Sequence, residues 1–304
     1  MGAKILVTGG AGFIGSAIIQ KLQNSNHQIF VIDDLSFGNR DFIKIPDSDF
    51  LKASILERKE LMAFVEKIQP EWILHLAAVH FIPYCNQHPY ESARINIEGT
   101  INVMDAAASC SSVKKVFFAS TAAVYPISNT AVDERHETGP MDIYGLSKLA
   151  GEKICHQFHL SSGIPTVICR FFNAFGPNET NPHLIPEIQN QVNSGLRTIK
   201  LGNLTPKRDF IHTYDMANAV EMLMNKVESG YEIFNLGRGI EYSVTEIVEA
   251  FERQLGEKIT IEQDPSRIRK VERMHLLADV AKLKNIAGWE PVWTLDDGIK
   301  TLVK

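Results

Sequence analysis

The sequence predicts an α/β protein whose first half forms a doubly wound parallel sheet, followed by a smaller mixed C-terminal domain. Short runs rich in Val, Ile, Leu and Phe alternate with stretches of helical length through residues 1–172. The short runs are almost continuously apolar, as strands are when helices cover both faces of a parallel sheet. The chain of 304 residues is long enough for two domains.

The elements of the first half follow one another as strands and helices. The expected strands are Lys4–Thr8, Gln28–Asp33, Glu71–Leu76, Lys114–Ser120 and Pro165–Phe172, with Phe50–Ser54 as a further candidate. The expected helices are Phe13–Asn24, Glu57–Ile68, Ala93–Ser109 and Asp142–Leu160. This alternation is typical of βαβ units, and it predicts a Rossmann-type domain over residues 1–172.

The pattern changes after Phe172. Residues 173–187, NAFGPNETNPHLIPE, carry three prolines and several polar turn residues, which indicates a functional loop. Beyond it we expect helices at Pro186–Gly195, Asp215–Val227 and Thr245–Leu255, the last one capped by Ser243, and a buried strand at Tyr231–Leu236. We predict a smaller substrate domain over residues 173–304, with segments at about 208–240 returning to the first domain.

Composition excludes several classes of protein. A content of 44% apolar and 22% charged residues excludes a disordered or collagen-like chain. The net charge of −5 gives no reason to expect nucleic acid or an anionic membrane as a partner. There is no run of ~18 apolar residues for a transmembrane helix. Because the start, MGAKILVTGG, leads directly into an expected strand, we expect no signal peptide.

The spacing of the four cysteines indicates the redox environment of the protein. Cys85, Cys110, Cys155 and Cys169 lack the CxxC spacing of a zinc or redox site. No metal site is predicted. We expect reduced thiols in a cytoplasmic protein.

A glycine-rich turn follows the first strand. Gly10, Gly12 and Gly15 satisfy G-x-G-x-x-G, while Gly9, Gly12 and Gly15 satisfy G-x-x-G-x-x-G. Such glycines let the backbone approach a pyrophosphate at a helix N-terminus. A simple tight turn is the alternative. The next strand, however, ends in Asp33, 23 positions after Gly10, close to the spacing expected for a ribose ligand. The sequence therefore predicts a dinucleotide site.

Asp33 also favours one cofactor. Its carboxylate can accept a hydrogen bond from the 2′-hydroxyl of NAD and would repel the 2′-phosphate of NADP. Asp34 adds a second negative charge, and Arg40 is the nearby cation. Although Asp33 could simply end the strand, NAD is the expected cofactor.

A tyrosine and a lysine stand four residues apart in Tyr144-Gly145-Leu146-Ser147-Lys148. On a helix they share one face, where the ammonium stabilises a phenolate and lowers the pKa of the tyrosine. Such a tyrosine can take a proton from a hydroxyl while hydride leaves the carbon. Tyr and Lys are common on helix surfaces, so the pair alone is a weak signal. The glycine turn, together with Ser120-Thr121 at the end of the fifth strand, favours a catalytic role.

With these motifs, the chain resembles the extended short-chain dehydrogenase/reductase family, specifically its nucleotide-sugar epimerases and dehydratases. The matching motifs run in order along the sequence: VTGGAGFIGS, VIDDLS, HLAA, NIEGTINVMDAA, FFASTAAVY, YGLSK, RFFNAFGP, KRDFIH and LADVAKLKNIAGWEP. The resemblance implies an NAD-dependent enzyme acting on a nucleotide sugar. It also implies a homodimer that pairs the helices Ala93–Ser109 and Asp142–Leu160 of two chains.

Site residues follow from the resemblance, position by position. The implied catalytic residues are Thr121, Tyr144 and Lys148. The implied NAD site contains Tyr144 and Lys148 together with Gly9, Gly12, Phe13, Ile14, Gly15, Asp33, Asp34, Ser54, Ile55, Leu76, Ala77, Ala78 and Asn96. The implied substrate site contains His80, Thr121, Asn173, Leu184, Arg208, Arg269 and Glu272.

Two of these residues also fit on chemical grounds. A sugar nucleotide carries two phosphate charges, and the guanidinium fork of arginine matches phosphate oxygens. Arg208 could instead be an ordinary surface residue. Arg269 lies in the basic run 267–273, and such runs are often only solvated.

Departures from the family pattern bear on the reaction. Ser54 stands where relatives carry an aspartate that contacts adenine, and Pro126 replaces a glycine. Ala122 and Ala123 occupy the positions where 4,6-dehydratases carry acidic residues. Since alanine cannot transfer protons, we expect epimerisation at C4 of a UDP-hexose through a 4-keto intermediate.

Other readings stay open at this point. A dehydratase could use Cys85 and His80 as a substitute acid/base pair. A GDP-sugar enzyme is also possible, because Leu201 stands where UDP-sugar epimerases often have an aromatic residue. A catalytically silent NAD sensor would be expected to lack the Tyr or the Lys, and this chain has both.

Overall fold

The structure is a computed structural model that describes residues 2–268 and 273–303. Its strands are β1 Lys4–Thr8, β2 Gln28–Ile32, β3 Phe50–Leu51, β4 Trp72–His75, β5 Lys115–Thr121, β6 Thr166–Phe171, β7 Asn173–Phe175, β8 Thr198–Leu201, β9 Lys207–His212, β10 Tyr231–Leu236, β11 Glu241–Ser243 and β12 Thr260–Gln263. Its helices are α1 Phe13–Asn24, α2 Arg58–Ile68, α3 Ile82–Gln87, α4 Pro89–Ala93, α5 Gly99–Ser109, α6 Ile143–Ser162, α7 Leu184–Asn193, α8 Thr213–Lys226, α9 Val244–Leu255, α10 Ala281–Ala287 and α11 Leu295–Lys300.

A seven-stranded sheet forms the centre of the molecule, in the order β10-β6-β5-β4-β1-β2-β3. Every neighbouring pair is parallel. Separate apolar clusters cover the two faces: one contains Ile5, Val7 and residues of α1 and α8, and the other contains Leu6, Ile73 and residues of α2 and α5. The α/β prediction of a doubly wound parallel sheet is confirmed.

Later segments return to this sheet. β10 pairs with β6 along its whole length, from Tyr231 opposite Thr166 to Leu236 opposite Phe171. α8 packs beside α1. The strand predicted at Tyr231–Leu236 therefore lies at the edge of the central sheet.

Two small sheets complete the described part of the chain. One has the order β11-β9-β7, with β11 antiparallel and β7 parallel to β9, and the other pairs β12 with β8. A third apolar cluster, which includes Phe175, Ile188, Ile247, Phe251 and Ile299, holds them against α7, α9 and α11. This arrangement confirms the predicted smaller mixed region.

The observed boundaries of three elements can be compared with those predicted from the sequence. Ser243 caps α9 as predicted, since its hydroxyl accepts from Glu246 N at 3.2 Å while the Glu246 carboxylate accepts from Ser243 N at 2.8 Å. The candidate strand Phe50–Ser54 is shorter than expected, ending at Leu51. The predicted helix Ala93–Ser109 contains a π-helical turn at Arg94–Glu98 before α5 begins.

No helix in the described ranges is both long and apolar enough to span a bilayer.

Candidate active site

A cavity of about 1190 Å³ opens at the carboxyl ends of β1, β2, β4, β5 and β6. In the sheet order, chain connections run in opposite directions from β1 and β4, and this switch point is where open α/β sheets bind ligands. Its walls come from both halves of the chain: Gly12, Asp33 and Tyr144 lie on one side, and Leu184 and Arg208 on the other.

The glycine turn between β1 and α1 forms one end of the cavity. Gly9 has a φ of +71°, and a Cβ there would lie 2.6 Å from Ala77 N. A Cβ on Gly15 would lie 2.3 Å from Gly9 O. Gly12 caps α1 without a side-chain hydrogen bond, and Phe13 and Ile14 line the cavity. The first amide groups of α1 are therefore available to an anion, as a pyrophosphate requires.

Asp33 lies beside this turn and is 8% exposed. Its carboxylate accepts hydrogen bonds from Ala11 N at 2.9 Å and from Leu35 N at 2.8 Å. Burial raises the pKa of Asp33, while these two amides oppose the change. The side chain thus fixes the glycine turn as well as lining the cavity. Asp34 lines the cavity next to it.

The loops after β3 and β4 supply the next part of the wall. Ser54 and Ile55 follow β3, and Leu76, Ala77 and Ala78 follow β4; all five line the cavity. The Ser54 hydroxyl accepts a hydrogen bond from Leu56 N at 3.3 Å, so it stabilises its own turn.

A chain of buried hydrogen bonds fixes the backbone of the loop that follows β4. His75 Nδ1 lies 2.8 Å from Thr8 Oγ1, and His75 Nε2 lies 3.0 Å from Thr100 Oγ1. Ala77 N in turn donates to Thr8 Oγ1 at 3.2 Å. Burial lowers the pKa of His75 well below its ordinary value, and the charge of Lys148 lowers it further. The neutral ring therefore ties β1, β4 and α5 together.

Asn96 lies behind the cavity wall, where it is 2% exposed. Its Oδ1 accepts from Val79 N at 2.8 Å, and its Nδ2 donates to Val79 O and to Ser147 Oγ, both at 2.9 Å. These contacts hold the loop after β4 against α6. Its position suits a residue that shapes the cofactor site from behind.

Thr121, Tyr144 and Lys148 meet in the same wall. α6 begins at Ile143, because Asp142 caps it by accepting from Gly145 N at 2.8 Å. A Cβ on Gly145 would lie 2.5 Å from Ala123 O, so this glycine lets the start of α6 approach the end of β5. The Lys148 Nζ lies 4.1 Å from the centre of the Phe118 ring, a cation–π distance.

Burial shifts the pKa values of Tyr144 and Lys148 in opposite directions. It raises the pKa of Tyr144, which the neighbouring Thr121 hydroxyl partly offsets. Burial lowers the pKa of Lys148 to about 8, with Cys155 and Glu152 opposing the shift. Tyr144 is thus a phenol at neutral pH, and a nearby cation is needed to stabilise its phenolate.

The substrate side holds three of the residues that the sequence predicted. Asn173 begins β7, Leu184 begins α7, and Arg208 lies in β9; all three line the cavity. Arg208 NH1 donates to the Arg273 carbonyl at 2.7 Å. Arg273 itself lines the cavity and donates to Tyr125 O at 2.8 Å.

Arg269 and Glu272, which the family resemblance also implied, lie outside the described residues.

His80 lines the cavity, whereas Cys85 is not among the residues that line it. Burial lowers the pKa of His80 to about 4, which leaves a neutral ring. Cys85 is fully buried, and its thiol lies 3.5 Å from the Val79 carbonyl. Burial raises the pKa of this thiol. A dehydratase built on Cys85 and His80 therefore has no support in the geometry.

Several polar and charged residues of the wall were not predicted individually. Glu179, Thr180 and His183 enter from the proline-containing loop, and Arg267 and Glu187 form an ion pair at 2.5 Å near the substrate end. The loop composition and the basic run 267–273 were the signals in the sequence. Neither reveals which side chains turn inward.

Comparisons with known proteins agree with this geometry. Residues 5–237 match the NAD dependent epimerase/dehydratase family. The UDP-glucose 4-epimerase of Halalkalibacterium halodurans is 33% identical over 310 residues, covering 94% of this chain and 90% of that protein.

Solved structures extend the likeness to the whole fold. The Brucella ovis UDP-glucose 4-epimerase in complex with NAD is 28% identical with a TM-score of 0.91, covering 98% of this chain and 97% of that one. The Thermotoga maritima UDP-glucose 4-epimerase with UDP-glucose is 26% identical with a TM-score of 0.90, again covering 98% and 97%. The resemblance found in the sequence is confirmed, and the chain belongs to the NAD-dependent epimerase/dehydratase family.

Proposed function

We propose that this protein epimerises a nucleoside-diphosphate sugar at C4, with a UDP-hexose as substrate and NAD as resident cofactor. The observation that carries the proposal is the meeting of Thr121, Tyr144 and Lys148 in one cavity with the glycine turn and Asp33. The names of the relatives support the choice of reaction and of substrate.

The glycine turn and Asp33 would hold the cofactor. The free amides at the start of α1 suit its pyrophosphate, and the Asp33 carboxylate suits a ribose hydroxyl. Ser54, Ile55 and the residues after β4 would enclose its two ends. When bound, NAD accepts a hydride from the sugar carbon and returns it.

Tyr144 would act as the base on the C4 hydroxyl, with Thr121 holding that hydroxyl in place. Loss of this proton, together with the hydride that NAD would accept from C4, would give a 4-keto sugar, and return of the hydride to the opposite face of C4 with return of the proton to the oxygen would complete the opposite configuration. Lys148, which lines the same wall, would stabilise the phenolate form of Tyr144 as the proton moves. The keto sugar must turn over in the cavity between the two steps.

The substrate side would hold the diphosphate. Arg208 and Asn173 line the cavity on that side, and the family resemblance adds Arg269 and Glu272. Leu184 stands at the start of α7, where its main chain can approach a phosphate. We propose that residues 1–172, with segments at about 208–240, form the NAD-binding domain and that residues 173–304 form the substrate domain.

The residues beside Thr121 disfavour a reaction that eliminates water from the sugar. Ala122 and Ala123 line the cavity beside Thr121, and neither has a titratable atom. Cys85 faces the Val79 carbonyl rather than a ligand. An epimerase needs no further acid/base pair.

We propose a homodimer formed by α5 and α6. Ile101 on α5 is 43% exposed and Leu146 on α6 is 52% exposed, and the two helices pack side by side. A two-fold pairing would bury both residues, and dimers of this symmetry are the commonest oligomers.

We place the protein in the cytoplasm, where the thiols of its four buried, unpaired cysteines would stay reduced.

The test is to incubate the protein with UDP-glucose, without added NAD, and to analyse the sugar by mass and by NMR in deuterated water. We expect UDP-galactose of unchanged mass and no carbon-bound deuterium, because hydride returns to the carbon it left. A product lighter by one water, or deuterium at C5, would contradict C4 epimerisation. GDP- and CDP-glucose in parallel incubations identify the base that the site accepts.

A further inference from the structure

Glu179 places a buried carboxylate in the cavity wall, in the loop that follows β7. Its side chain is only 5% exposed. The residues on either side anchor the loop across the groove: Asn178 Nδ2 donates to Ser16 Oγ at 3.2 Å, and Thr180 Oγ1 donates to Phe37 O at 3.4 Å. Glu179 therefore lines the cavity between these two anchors.

The loop holds this carboxylate in its ionised form. Glu179 Oε1 accepts from Asn181 N at 3.0 Å, and Oε2 lies 3.4 Å from His183 Nδ1. Burial opposes ionisation, but the contacts with His183 and Asn181 outweigh it and keep the pKa of Glu179 below its ordinary value. The cavity thus contains a fixed negative charge, although both of its expected ligands carry phosphates.

The cluster around Glu179 reaches the reacting end of the cavity. Asn181 Nδ2 donates to His80 Nε2 at 3.1 Å, and His80 lies close enough to Lys148 for the ammonium to lower the pKa of the imidazole. The His183 ring lies 6.1 Å from that of His80. In the proposed reaction the sugar occupies this end, because Tyr144 and Lys148 act there.

We propose that Glu179 determines sugar specificity, an inference that rests on the proposed function. The site admits nucleotide sugars whose ring is uncharged, such as hexoses and N-acetylhexosamines, and rejects hexuronates. Sugar hydroxyls can donate to the remaining lone pairs of the carboxylate. A hexuronate would bring a second carboxylate into a buried space where salt screens charges poorly.

The test compares kcat/KM for UDP-glucose and UDP-glucuronate in the wild type and in Glu179→Gln, which removes the charge and keeps the shape. We expect the preference for UDP-glucose to fall by on the order of 10- to 100-fold in Glu179→Gln, as expected for a charge repulsion at moderate effective dielectric. Glu137→Gln, at an exposed position, should keep the wild-type preference. Glu179→Asp, which keeps the charge, should still favour UDP-glucose.

Calorimetric Kd values for the two sugars separate this proposal from the proposed function. If the wild type turns over neither sugar, the function fails, yet weaker binding of UDP-glucuronate that Glu179→Gln restores would still support the role of Glu179. Equal use of both sugars by the wild type would overturn it. So would an unchanged preference in Glu179→Gln accompanied by loss of bound NAD, which would assign the carboxylate to the cofactor. If Glu179→Gln does not fold, Glu179→Ala, which also removes the charge, must lower the preference for UDP-glucose, and a folded Glu179→Ala with the wild-type preference would overturn the proposal.

Discussion

Arg170 on β6 and Glu152 on α6 form a buried, two-pronged ion pair beneath the helix that carries Tyr144 and Lys148. Arg170 Nε lies 2.9 Å from Glu152 Oε1, and NH2 lies 2.7 Å from Oε2. Their side chains are 4% and 2% exposed. Ser120 Oγ donates to the same Oε1 at 2.5 Å, so the pair joins α6 to the ends of β5 and β6. This contact sets the height of α6 above the sheet.

Arg170→Met should destabilise the protein by about 3–5 kcal/mol, because it leaves the Glu152 charge buried without a partner. Urea unfolding followed by circular dichroism at pH 7 measures the change. The double variant Arg170→Met with Glu152→Leu removes both charges and should recover most of the loss. A loss of less than about 1 kcal/mol in the single variant, typical of a surface pair, would contradict the buried pairing.

Asp33→Ala should weaken NAD binding by about 1.5–3 kcal/mol, the cost of losing a hydrogen bond to a charged group. Its effect on NADP should be smaller, because the variant also removes the repulsion of a 2′-phosphate. Titration of cofactor-stripped protein with NAD and NADP checks both values. Asp41→Ala, at an exposed position that does not line the cavity, is the comparison, and an equal loss of NAD in the two variants would refute a specific role for Asp33.

Local sequence was sufficient where an element carries its own signals. The strand Lys4–Thr8, the glycine turn and the helix Phe13–Asn24 occupy the predicted residues, since the apolar run and the glycines act within one stretch of chain. Asn96 shows the limit. Its motif identified it, but its contacts with Val79 and Ser147 exist only once three distant segments pack.

The proline-containing loop shows the same limit more strongly. Its composition predicted a functional segment, but the inward position of Glu179 depends on anchors at Ser16 and Phe37, more than 140 residues earlier in the chain. Likewise, the short helix α3 was not predicted, because six residues are too few for a clear period.

Tyr144→Phe should lower kcat by ~10²–10⁴-fold, the usual contribution of a general base. The ring and its packing remain, so the Kd of UDP-glucose should change little. Steady-state kinetics and calorimetry give the two values. Tyr90→Phe, at a side chain that is 80% exposed, should keep full activity, and a Tyr144→Phe enzyme with wild-type kcat would remove Tyr144 from the mechanism.

Leu146→Glu combined with Ile101→Glu should convert the proposed dimer into a monomer, because two charges per chain would be buried without partners in the α5–α6 pairing. Light scattering coupled to size exclusion at micromolar concentration reports the mass. Val292→Glu changes an equally apolar residue, 72% exposed, away from these helices and should leave the dimer intact. A wild-type protein with only the monomer mass would reject the dimer.

Lys148→Met should make the cofactor-free protein more stable at pH 7 while abolishing its activity. Burial lowers the pKa of Lys148 from 10.5 to about 8, so the unfolded chain holds the proton more tightly than the folded one. Below pH 8 both states are charged, and the buried ammonium costs about 3 kcal/mol of stability. As the pH rises from 8 to 10.5 the folded state loses its proton first and this cost disappears. Contact with the Phe118 ring offsets part of it.

The difference in unfolding free energy between Lys148→Met and the wild type should therefore be largest at or below pH 8 and should approach zero near pH 10.5. Urea unfolding at a series of pH values measures it, and subtraction cancels the titration of all other groups. Lys153→Met, on the exposed side of the same helix, is the matched control and should change the stability little. A Lys148→Met variant that is less stable than the wild type at pH 7 would mean that the ammonium is stabilised in the cavity. In that case Lys148 would pair with Tyr144 as a resting phenolate, and the activity would persist to lower pH than a phenol with a raised pKa allows.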